Sequence, residues 1–224
     1  MYDLWLSLLR FFQPSILQFL ADGNKVYLLC LSNGNYEGLG REREKELEKA
    51  CARMGLTEPP TIIDDPELQD GPDNNWAPAL IAEYVVKHCK QREALDGESG
   101  KIDIIVTFDQ YGISYHPNHC AIFYGIEHMM KSNALLDIEV FTLTTVMLWR
   151  KYIALADVNF ILTDEWQAYR LNVYEAYKTL AEHTSQLVWF RKLFVIFSRY
   201  TYVNSFTRYV SSSRSASLSE EGDT

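Results

Sequence analysis

Residues 102–119, IDIIVTFDQYGISYHPNH, decide how this chain folds. The first seven of these residues form an almost continuous apolar run, which is typical of a strand buried on both faces of a parallel sheet. A polar loop follows and carries Asp109, His116 and His119, and a helix is predicted from about His119 to Ser132. The stretch therefore predicts a buried strand, a loop that carries ionisable side chains, and a helix.

The same order of strand, loop and helix recurs along the chain. Further strands are predicted near residues 26–31, 61–63 and 140–146. Further helices are predicted over residues 41–55, 76–91 and 165–181. This alternation predicts an α/β fold of Rossmann-like type, with a mainly parallel sheet flanked by helices. Ligands of such sheets bind at the carboxyl ends of the strands.

Composition limits the class of protein and the number of domains. The 224 residues are 47% hydrophobic and carry a net charge of −9. We expect one domain over residues 1–210 and a disordered, Ser-rich acidic tail over residues 211–224. The negative charge argues against a nucleic-acid partner, because binding a polyanion requires a basic face. The four cysteines have no C-x-x-C spacing, so we expect buried free thiols.

The apolar N-terminus does not predict a membrane span. Its longest uncharged piece, residues 11–21, is too short to cross a bilayer, and Arg10 and Pro14 interrupt the wider apolar stretch. We expect a helix that packs within the domain and ends near residues 22–24. No other segment of this sequence reaches spanning length, so the sequence predicts no transmembrane helix.

His116 and His119 are the main candidates for chemistry. Two imidazoles at the mouth of a buried strand suit metal ligation or general acid–base catalysis. Asn118 is placed to cap the following helix, which would fix His119 in the first turn. On this spacing alone, a helix cap and a surface residue is the favoured interpretation of the two histidines, because two ligands do not make a zinc site.

Two other groups of charged residues have open interpretations. The acidic loop Asp64, Asp65 and Glu67 could bind a metal, but solvated acidic turns are common after strands, and Pro66 favours a turn. Arg43 could form a surface ion pair with Glu46, three residues later on a helix, or could reach an anionic substrate.

Residues 188–210 combine cations with aromatic residues and contain no acid. Basic residues interleaved with aromatics are typical of a surface that meets anionic lipid. On this interpretation Arg191, Lys192 and Arg199 face a membrane. The alternative is a core helix whose charged residues lie at its solvated flanks.

Taken together, the sequence resembles the N-acetylglucosaminyl-phosphatidylinositol (GlcNAc-PI) de-N-acetylases of GPI-anchor synthesis, the eukaryotic branch of the LmbE-like zinc deacetylases. The matching pieces are VYLLCLSNGNYEGLG (26–40), REREKELEKACARMGL (41–56), IIDDPELQDGPDNNW (62–76), IDIIVTFDQYGISYHPNHCA (102–121) and HTSQLVWFRKLFVIFSRYTYVNSF (183–206). The resemblance extends from about Phe11 to Phe206. The last piece resembles the glycolipid enzymes in particular, whereas histidine pairs after a strand are shared more widely.

The resemblance implies a metal-dependent amide hydrolase with the LmbE-like fold. His119 matches a Zn²⁺ ligand of the family, and His116 matches a catalytic imidazole. Asp109 matches an aspartate after the strand, which we take as catalytic. Arg43 matches an arginine on the substrate side, and Asn118 stands where the wider family has an aspartate, so both are expected to contact substrate.

The resemblance also implies the substrate and the location. We expect hydrolysis of GlcNAc-PI to glucosaminyl-phosphatidylinositol and acetate, at the cytoplasmic side of the endoplasmic reticulum membrane. The family motif A-H-P-D-D-E, which supplies two more metal ligands and a general base, is missing from this sequence. We therefore expect the domain to lack its first strand and this chain to bind zinc weakly. A truncated, non-catalytic form that binds glycolipid is the alternative.

Overall fold

The computed structural model describes residues 4–71, 73–135, 137–160, 166–183, 185 and 189–210, with side chains from residue 11 onward except those of residues 155, 158 and 190–192. The helices are α1 (Leu4–Ala21), α2 (Gly40–Met54), α3 (Pro78–Asp96), α4 (Gly112–Tyr115), α5 (Pro117–Lys131), α6 (Leu148–Lys151), α7 (Val173–Ala181) and α8 (Trp189–Phe197). The strands are β1 (Leu29–Cys30), β2 (Thr61–Ile62), β3 (Ile104–Phe108), β4 (Glu139–Leu143), β5 (Trp166–Tyr169) and β6 (Val203–Tyr209).

The strands form two sheets flanked by helices. β1 and β2 pair in parallel, with Leu29 opposite Thr61. The second sheet has the order β3-β4-β6-β5. Its β3 and β4 are parallel neighbours, while β6 runs antiparallel to both β4 and β5. The predicted α/β architecture, with sheets flanked by helices, is confirmed. The four-stranded sheet is mixed and not mainly parallel, because β6 pairs antiparallel with both β4 and β5.

Helices α3 and α5 pack closely against each other. Gly125 on α5 permits this approach, because a Cβ atom built at that position would lie only 2.3 Å from Cγ2 of Ile81 on α3. Ile81, Ile126 and Met129 are fully or almost fully buried in this contact region of the core. The tight pairing holds the N-terminal end of α5, and therefore the loop before it, in a fixed place relative to the core.

Helix α1 is part of the hydrophobic core. Phe11, Phe12 and Ile16 are buried, and the ring of Phe12 lies edge-on to Phe108, with 4.9 Å between the ring centroids. As predicted, the helix ends just before residues 22–24. None of the helices in the described part of the chain combines the length and the apolar character needed to cross a bilayer.

Asn204 of β6 ties α1 to the second sheet at a proline. Pro14 lies inside α1 and interrupts its backbone hydrogen bonding, because proline has no N–H. The side-chain oxygen of Asn204 accepts hydrogen bonds from the backbone N–H of Ser15, at 3.3 Å, and from the hydroxyl of Ser15. Its amide nitrogen donates to the carbonyl of Phe11 at 2.7 Å. The fully buried Asn204 therefore satisfies backbone groups next to the interruption.

Two predicted segments fold differently from the expectation. The predicted helix over residues 165–181 is wrong in its first part, because Trp166–Tyr169 is a strand paired with β6 and only Val173–Ala181 is helical. The alternative of one core helix for the basic, aromatic segment is also wrong over the described residues 189–210. They form α8, a short 3-10 turn over Arg199–Thr201, and β6. Residues 211–224, the predicted tail, lie outside the described part of the chain.

Candidate functional site

Asp109 fixes the loop after β3 to the end of β4. Its carboxylate accepts hydrogen bonds from the backbone N–H and from the hydroxyl of Thr145, both at 2.6 Å. The backbone N–H of Tyr111 donates a further hydrogen bond at 3.1 Å. Since β3 and β4 are parallel neighbours, their carboxyl ends lie side by side. These contacts are those of a residue that positions two strand-end loops, and a direct catalytic role for Asp109 stays a prediction.

The backbone of this loop turns sharply at two consecutive residues. Gly112 and Ile113 both have positive φ, 52° and 65°, a conformation that glycine adopts easily and a β-branched residue does not. The N–H of Ile113 donates to the hydroxyl of Thr145 at 2.9 Å, and its carbonyl accepts from Nζ of Lys151 at 2.6 Å. These contacts hold Ile113 in an unfavourable conformation, as is frequent in functional loops.

Gly112 also determines where His119 lies. A Cβ atom at position 112 would be 2.6 Å from Cβ of His119 and 3.2 Å from Sγ of Cys120. Nδ1 of His119 lies 3.0 Å from the carbonyl oxygen of Gly112. Because a carbonyl oxygen only accepts, Nδ1 carries the proton in the neutral ring, and Nε2 keeps its lone pair. The ring of His119 is stacked on Phe108 at 4.1 Å, which fixes its plane.

His116 and His119 lie side by side at the start of α5. Their ring centroids are 4.7 Å apart, and the side chains are 8% and 1% exposed. His116 has the extended backbone that a residue before proline favours, and Pro117 begins the helix. The structure thus brings the two imidazoles together in a buried position at the carboxyl end of β3.

Asn118 does not cap α5, and that prediction is wrong. The cap position belongs to His116, with no side-chain cap hydrogen bond, and Pro117 and Asn118 already lie in the first turn. The side chain of Asn118 is 1% exposed, and neither of its amide atoms has a hydrogen-bond partner within the described part of the chain. A buried amide beside two buried imidazoles is a group that a substrate could engage, because leaving it without a partner is costly.

Arg43 lies in the first turn of α2 and is buried, and its side chain contacts the loop that follows β1. Its guanidinium donates to the carbonyl of Gly34 at 2.6 Å and to the carboxylate of Glu37. The alternative of a surface ion pair with Glu46 is wrong, since Arg43 is 1% and Glu46 4% exposed. Glu46 instead accepts from the backbone N–H and the hydroxyl of Ser185, both at 2.7 Å.

The acidic loop after β2 is a capped turn. Oδ1 of Asp65 accepts from the N–H of Glu67 at 2.8 Å, and Oδ2 accepts from the hydroxyl of Tyr84 at 2.6 Å. The hydrogen bonds from Tyr84 and Glu67 lower the pKa of Asp65. This geometry agrees with the solvated turn that Pro66 favours.

The four cysteines are free thiols, as expected. Burial raises the pKa of Cys51 to about 12 and that of Cys89 to about 11. The thiol of Cys120, next to His119, is only half-buried, but burial still raises its pKa, and the charge of Asp109 raises it further. Since the thiolate is the reactive form, these values do not favour a nucleophilic cysteine.

The prediction that Arg199 faces lipid is wrong. Its side chain is fully buried, its Nε lies 2.9 Å from a carboxylate oxygen of the buried Asp157, and it donates to the hydroxyl of Ser205 at 3.1 Å. A cation that is removed from water must be paired, and Asp157 provides the partner. The side chains of Arg191 and Lys192 lie outside the described part of the chain, so their predicted role stays a prediction.

Sequence reasoning missed two buried polar groups. Lys151 contacts the loop of the histidines through Ile113, and Nδ1 of the buried His183 lies 3.8 Å from the carboxylate of Glu46. Ser185, which binds Glu46, is 139 positions away from it in sequence. No local pattern indicates such pairs, although residues 183–185 lie within a piece that carried the family resemblance.

Among the candidate residues, His119 has a contact that is usual for a metal-binding imidazole. A metal-binding imidazole usually donates its other N–H to a carbonyl or carboxylate, and the Gly112 carbonyl accepts from His119 in this way. A catalytic zinc ion usually has three protein ligands. Within the described residues, no group of three or more His, Cys, Asp and Glu side chains is arranged to hold a metal. His119 therefore fits a ligand, but the described residues do not complete a zinc centre.

Comparison with sequence families and known proteins gives consistent matches. The family model for GlcNAc-PI de-N-acetylase (PIG-L) matches residues 9–130. A probable N-acetylglucosaminyl-phosphatidylinositol de-N-acetylase from Dictyostelium discoideum is 32% identical and is matched over 87% of this chain and 86% of that protein. The N-acetylglucosaminyl-phosphatidylinositol de-N-acetylase from Bos taurus is 34% identical over 87% of this chain and 76% of that protein.

Solved structures share the fold at low sequence identity. The N,N'-diacetylchitobiose deacetylase from Pyrococcus horikoshii superposes with a TM-score of 0.61 at 13% identity, over 90% of this chain and 79% of that one. A deacetylase of the teicoplanin biosynthesis pathway superposes with a TM-score of 0.51 at 12% identity, over 90% of this chain and 95% of that one. At such identities the likeness shows the LmbE-like fold.

Proposed function

Because the chain belongs to the GlcNAc-PI de-N-acetylase family, we propose that it hydrolyses the acetamide of N-acetylglucosaminyl-phosphatidylinositol. Water adds to the amide carbonyl and the C–N bond breaks, which gives acetate and glucosaminyl-phosphatidylinositol, an early step of GPI-anchor synthesis. The observation that carries this proposal is the buried pair of His116 and His119, 4.7 Å apart at the carboxyl end of β3. The non-catalytic alternative is not favoured, because the relatives matched over most of their length bear enzyme names.

His116 is the proposed catalytic imidazole. In its protonated form it can stabilise the oxyanion that develops on the amide carbonyl, or deliver a proton to the departing amine. Its burial excludes bulk water from the reacting atoms, so the charge of the imidazolium acts with little screening. The stacked neighbour His119, held by Phe108 and Gly112, keeps this face of the site rigid.

His119 is the proposed ligand of a Zn²⁺ cofactor. A zinc ion held there would supply Lewis acidity, which would activate water for attack and polarise the amide oxygen. The Gly112 carbonyl keeps the proton of His119 on Nδ1, which leaves Nε2 as the donor atom. The other ligands of such a centre are not assigned to the described residues.

Three further residues receive supporting roles. Asp109 holds the loop of the histidines against the end of β4 through Thr145, and is proposed to act on catalysis by this positioning. The buried amide of Asn118 and the guanidinium of Arg43 are proposed to contact substrate. Arg43 is proposed for the anionic inositol phosphate because a guanidinium offers several N–H donors in a geometry that matches phosphate.

The proposed place of action is the cytoplasmic face of the endoplasmic reticulum membrane. The support for it is the phosphatidylinositol named as the substrate of the relatives, together with the early position of the reaction in GPI-anchor synthesis. A nucleic-acid partner is not proposed, since the chain carries a net charge of −9.

The experiment is a direct assay on protein purified from the cells that make it. We expect the wild-type protein to convert GlcNAc-PI in detergent micelles to glucosaminyl-phosphatidylinositol and acetate, both quantified by mass spectrometry. His116→Ala is expected to lower turnover by about 10²–10⁴-fold, the usual contribution of a general acid or base. His128→Ala is the matched control, because His128 lies on the same helix but is exposed. No conversion by wild-type protein, or equal effects of the two substitutions, would contradict the proposal.

A further inference from the structure

Helix α8 exposes one apolar face. The exposed side chains on it are Trp189 (72%), Leu193 (45%), Ile196 (49%) and Phe197 (50%). At 100° per residue these four positions fall within an arc of roughly 100°, which is one side of a helix. The buried Val195 points to the other side and packs against Ala176 and Leu180 of α7. Thus α8 is anchored by one face and presents the other to its surroundings.

A second group of exposed apolar side chains lies beside α8. Met147, Leu148 and Trp149, at the start of α6, are 71%, 71% and 52% exposed. The ring of Tyr152, the residue after α6, meets that of Phe194 on α8 edge-to-face, with 6.2 Å between centroids. This contact joins α6 to α8. We define the apolar surface as Met147, Leu148, Trp149, Leu193, Ile196 and Phe197.

The apolar surface adjoins the loop that carries the histidines. Lys151, at the end of α6, donates through Nζ to the carbonyl of Ile113 at 2.6 Å. Ile113 follows Gly112, whose carbonyl accepts from His119. One short helix therefore has exposed apolar residues at its beginning and a direct hydrogen bond to the catalytic loop at its end.

We propose that the apolar surface inserts into the headgroup region of a phospholipid bilayer and so presents the catalytic loop to a lipid substrate. The inference rests on the proposed function, because the acetamide to be cleaved belongs to a phosphatidylinositol that lies in a membrane. Large exposed apolar patches on proteins mark interaction surfaces, and tryptophan favours the interface of a bilayer.

The distribution of charge favours α8, and not the rest of the protein, as the part that meets an anionic lipid surface. The chain as a whole carries a net charge of −9, yet α8 contains Arg191 and Lys192 and no acid. Anionic lipids such as phosphatidylinositol attract basic segments and repel an acidic surface. Orientation of the acidic protein on such a membrane is therefore expected to bring α8, and with it α6, to the lipid.

The test is flotation with vesicles of phosphatidylcholine containing phosphatidylinositol. The full chain is expected to float with the vesicles. The double variant Leu193→Glu, Ile196→Glu is expected to bind them at least about tenfold more weakly. The reason is that roughly half of the surface of each aliphatic side chain would move from water into lipid in the wild-type protein, and this gain is lost in the variant. Leu95→Glu is the matched control, since Leu95 on α3 is 74% exposed outside the apolar surface. It is expected to float like wild type.

Further readouts keep the test decisive. If the α8 variant does not fold, as judged by circular dichroism, Leu148→Glu on α6 replaces it and is expected to weaken binding as well. Brominated lipid is expected to quench the fluorescence of wild-type protein more than that of Trp149→Phe. Wild-type protein that does not float, or variants that float like wild type, would overturn the inference. So would a wild-type oligomer that the α8 variant splits into monomers, because a second copy would then cover the surface.

The outcome is separable from that of the proposed function. Vesicle binding is measured without turnover, so a chain that binds through the apolar surface but does not release acetate contradicts the proposed reaction and leaves the membrane surface in place. Conversely, turnover in detergent micelles combined with vesicle binding that is unaffected by Leu193→Glu and Ile196→Glu overturns the membrane surface alone.

Discussion

Replacement of Gly112 by alanine tests how the loop that carries the histidines is held. Alanine at φ 52° costs about 1–2 kcal/mol for the left-handed backbone alone. The added Cβ would also lie 2.6 Å from Cβ of His119, a contact that only a shift of α5 or of the loop can relieve. Overpacking of this kind costs about 1–3 kcal/mol. We therefore expect Gly112→Ala to lower the free energy of unfolding by about 2–5 kcal/mol.

Gly38→Ala is the matched control for this substitution. Gly38 has φ 76°, but a Cβ atom there meets nothing within 4 Å, so only the backbone cost of about 1–2 kcal/mol applies. Both variants are compared with wild type by urea unfolding followed by circular dichroism. The additional loss of unfolding free energy in Gly112→Ala, relative to Gly38→Ala, measures the close approach of His119. Turnover of GlcNAc-PI is also expected to be lower in Gly112→Ala. Equal losses of stability in the two variants would refute the reasoning.

Three other predictions concern buried polar contacts and pH. Thr145→Val removes the hydroxyl that donates to Asp109, and should lower the free energy of unfolding by about 1–3 kcal/mol, measured by urea unfolding; an unchanged unfolding midpoint would contradict this. Asn204→Ala leaves backbone groups beside the proline of α1 unsatisfied and should cost about 2–4 kcal/mol in the same assay, whereas a loss below about 1 kcal/mol would speak against the bridge. Burial of His88, and then the charge of Arg92, lowers the His88 pKa from 6.5 to about 4, so the unfolded state binds more protons in this range. Stability should therefore fall as pH drops from about 6.5 to about 4, and His88→Gln should flatten that part of the profile.

The first four strands and the position of the two candidate histidines beside one of them could be predicted because their signals are local. The apolar run at residues 102–108 indicates a buried strand wherever it occurs, and the structure forms β3 at Ile104–Phe108. His116 and His119 follow this strand within a few residues and begin the next helix, so their neighbourhood depends on little else. The structure adds what the run does not contain, namely the left-handed turn at Gly112 and Ile113.

The features that sequence reasoning missed depend on distant partners. Trp166–Tyr169 has no strong strand pattern, and forms a strand because it pairs with β6, with Trp166 opposite Phe206. From the sequence, Arg199 is predicted to be a surface cation beside aromatic residues. In the structure it is buried, because the buried carboxylate of Asp157 pairs with its charge. In both cases the deciding contact joins residues about 40 positions apart, and residue type and periodicity carry no information about it.

The measurement that tests the account most directly is zinc content and turnover in the same preparations. Wild-type protein purified from its own cells, His119→Ala and His116→Ala are analysed for zinc per chain by mass spectrometry and for release of acetate from GlcNAc-PI. Because His119 is proposed to bind the metal, and His116 to stabilise the oxyanion or to transfer a proton, we expect His119→Ala to lose both zinc and turnover. His116→Ala should keep its zinc and lose turnover by about 10²–10⁴-fold. Zinc and turnover at wild-type levels in His119→Ala would contradict the account.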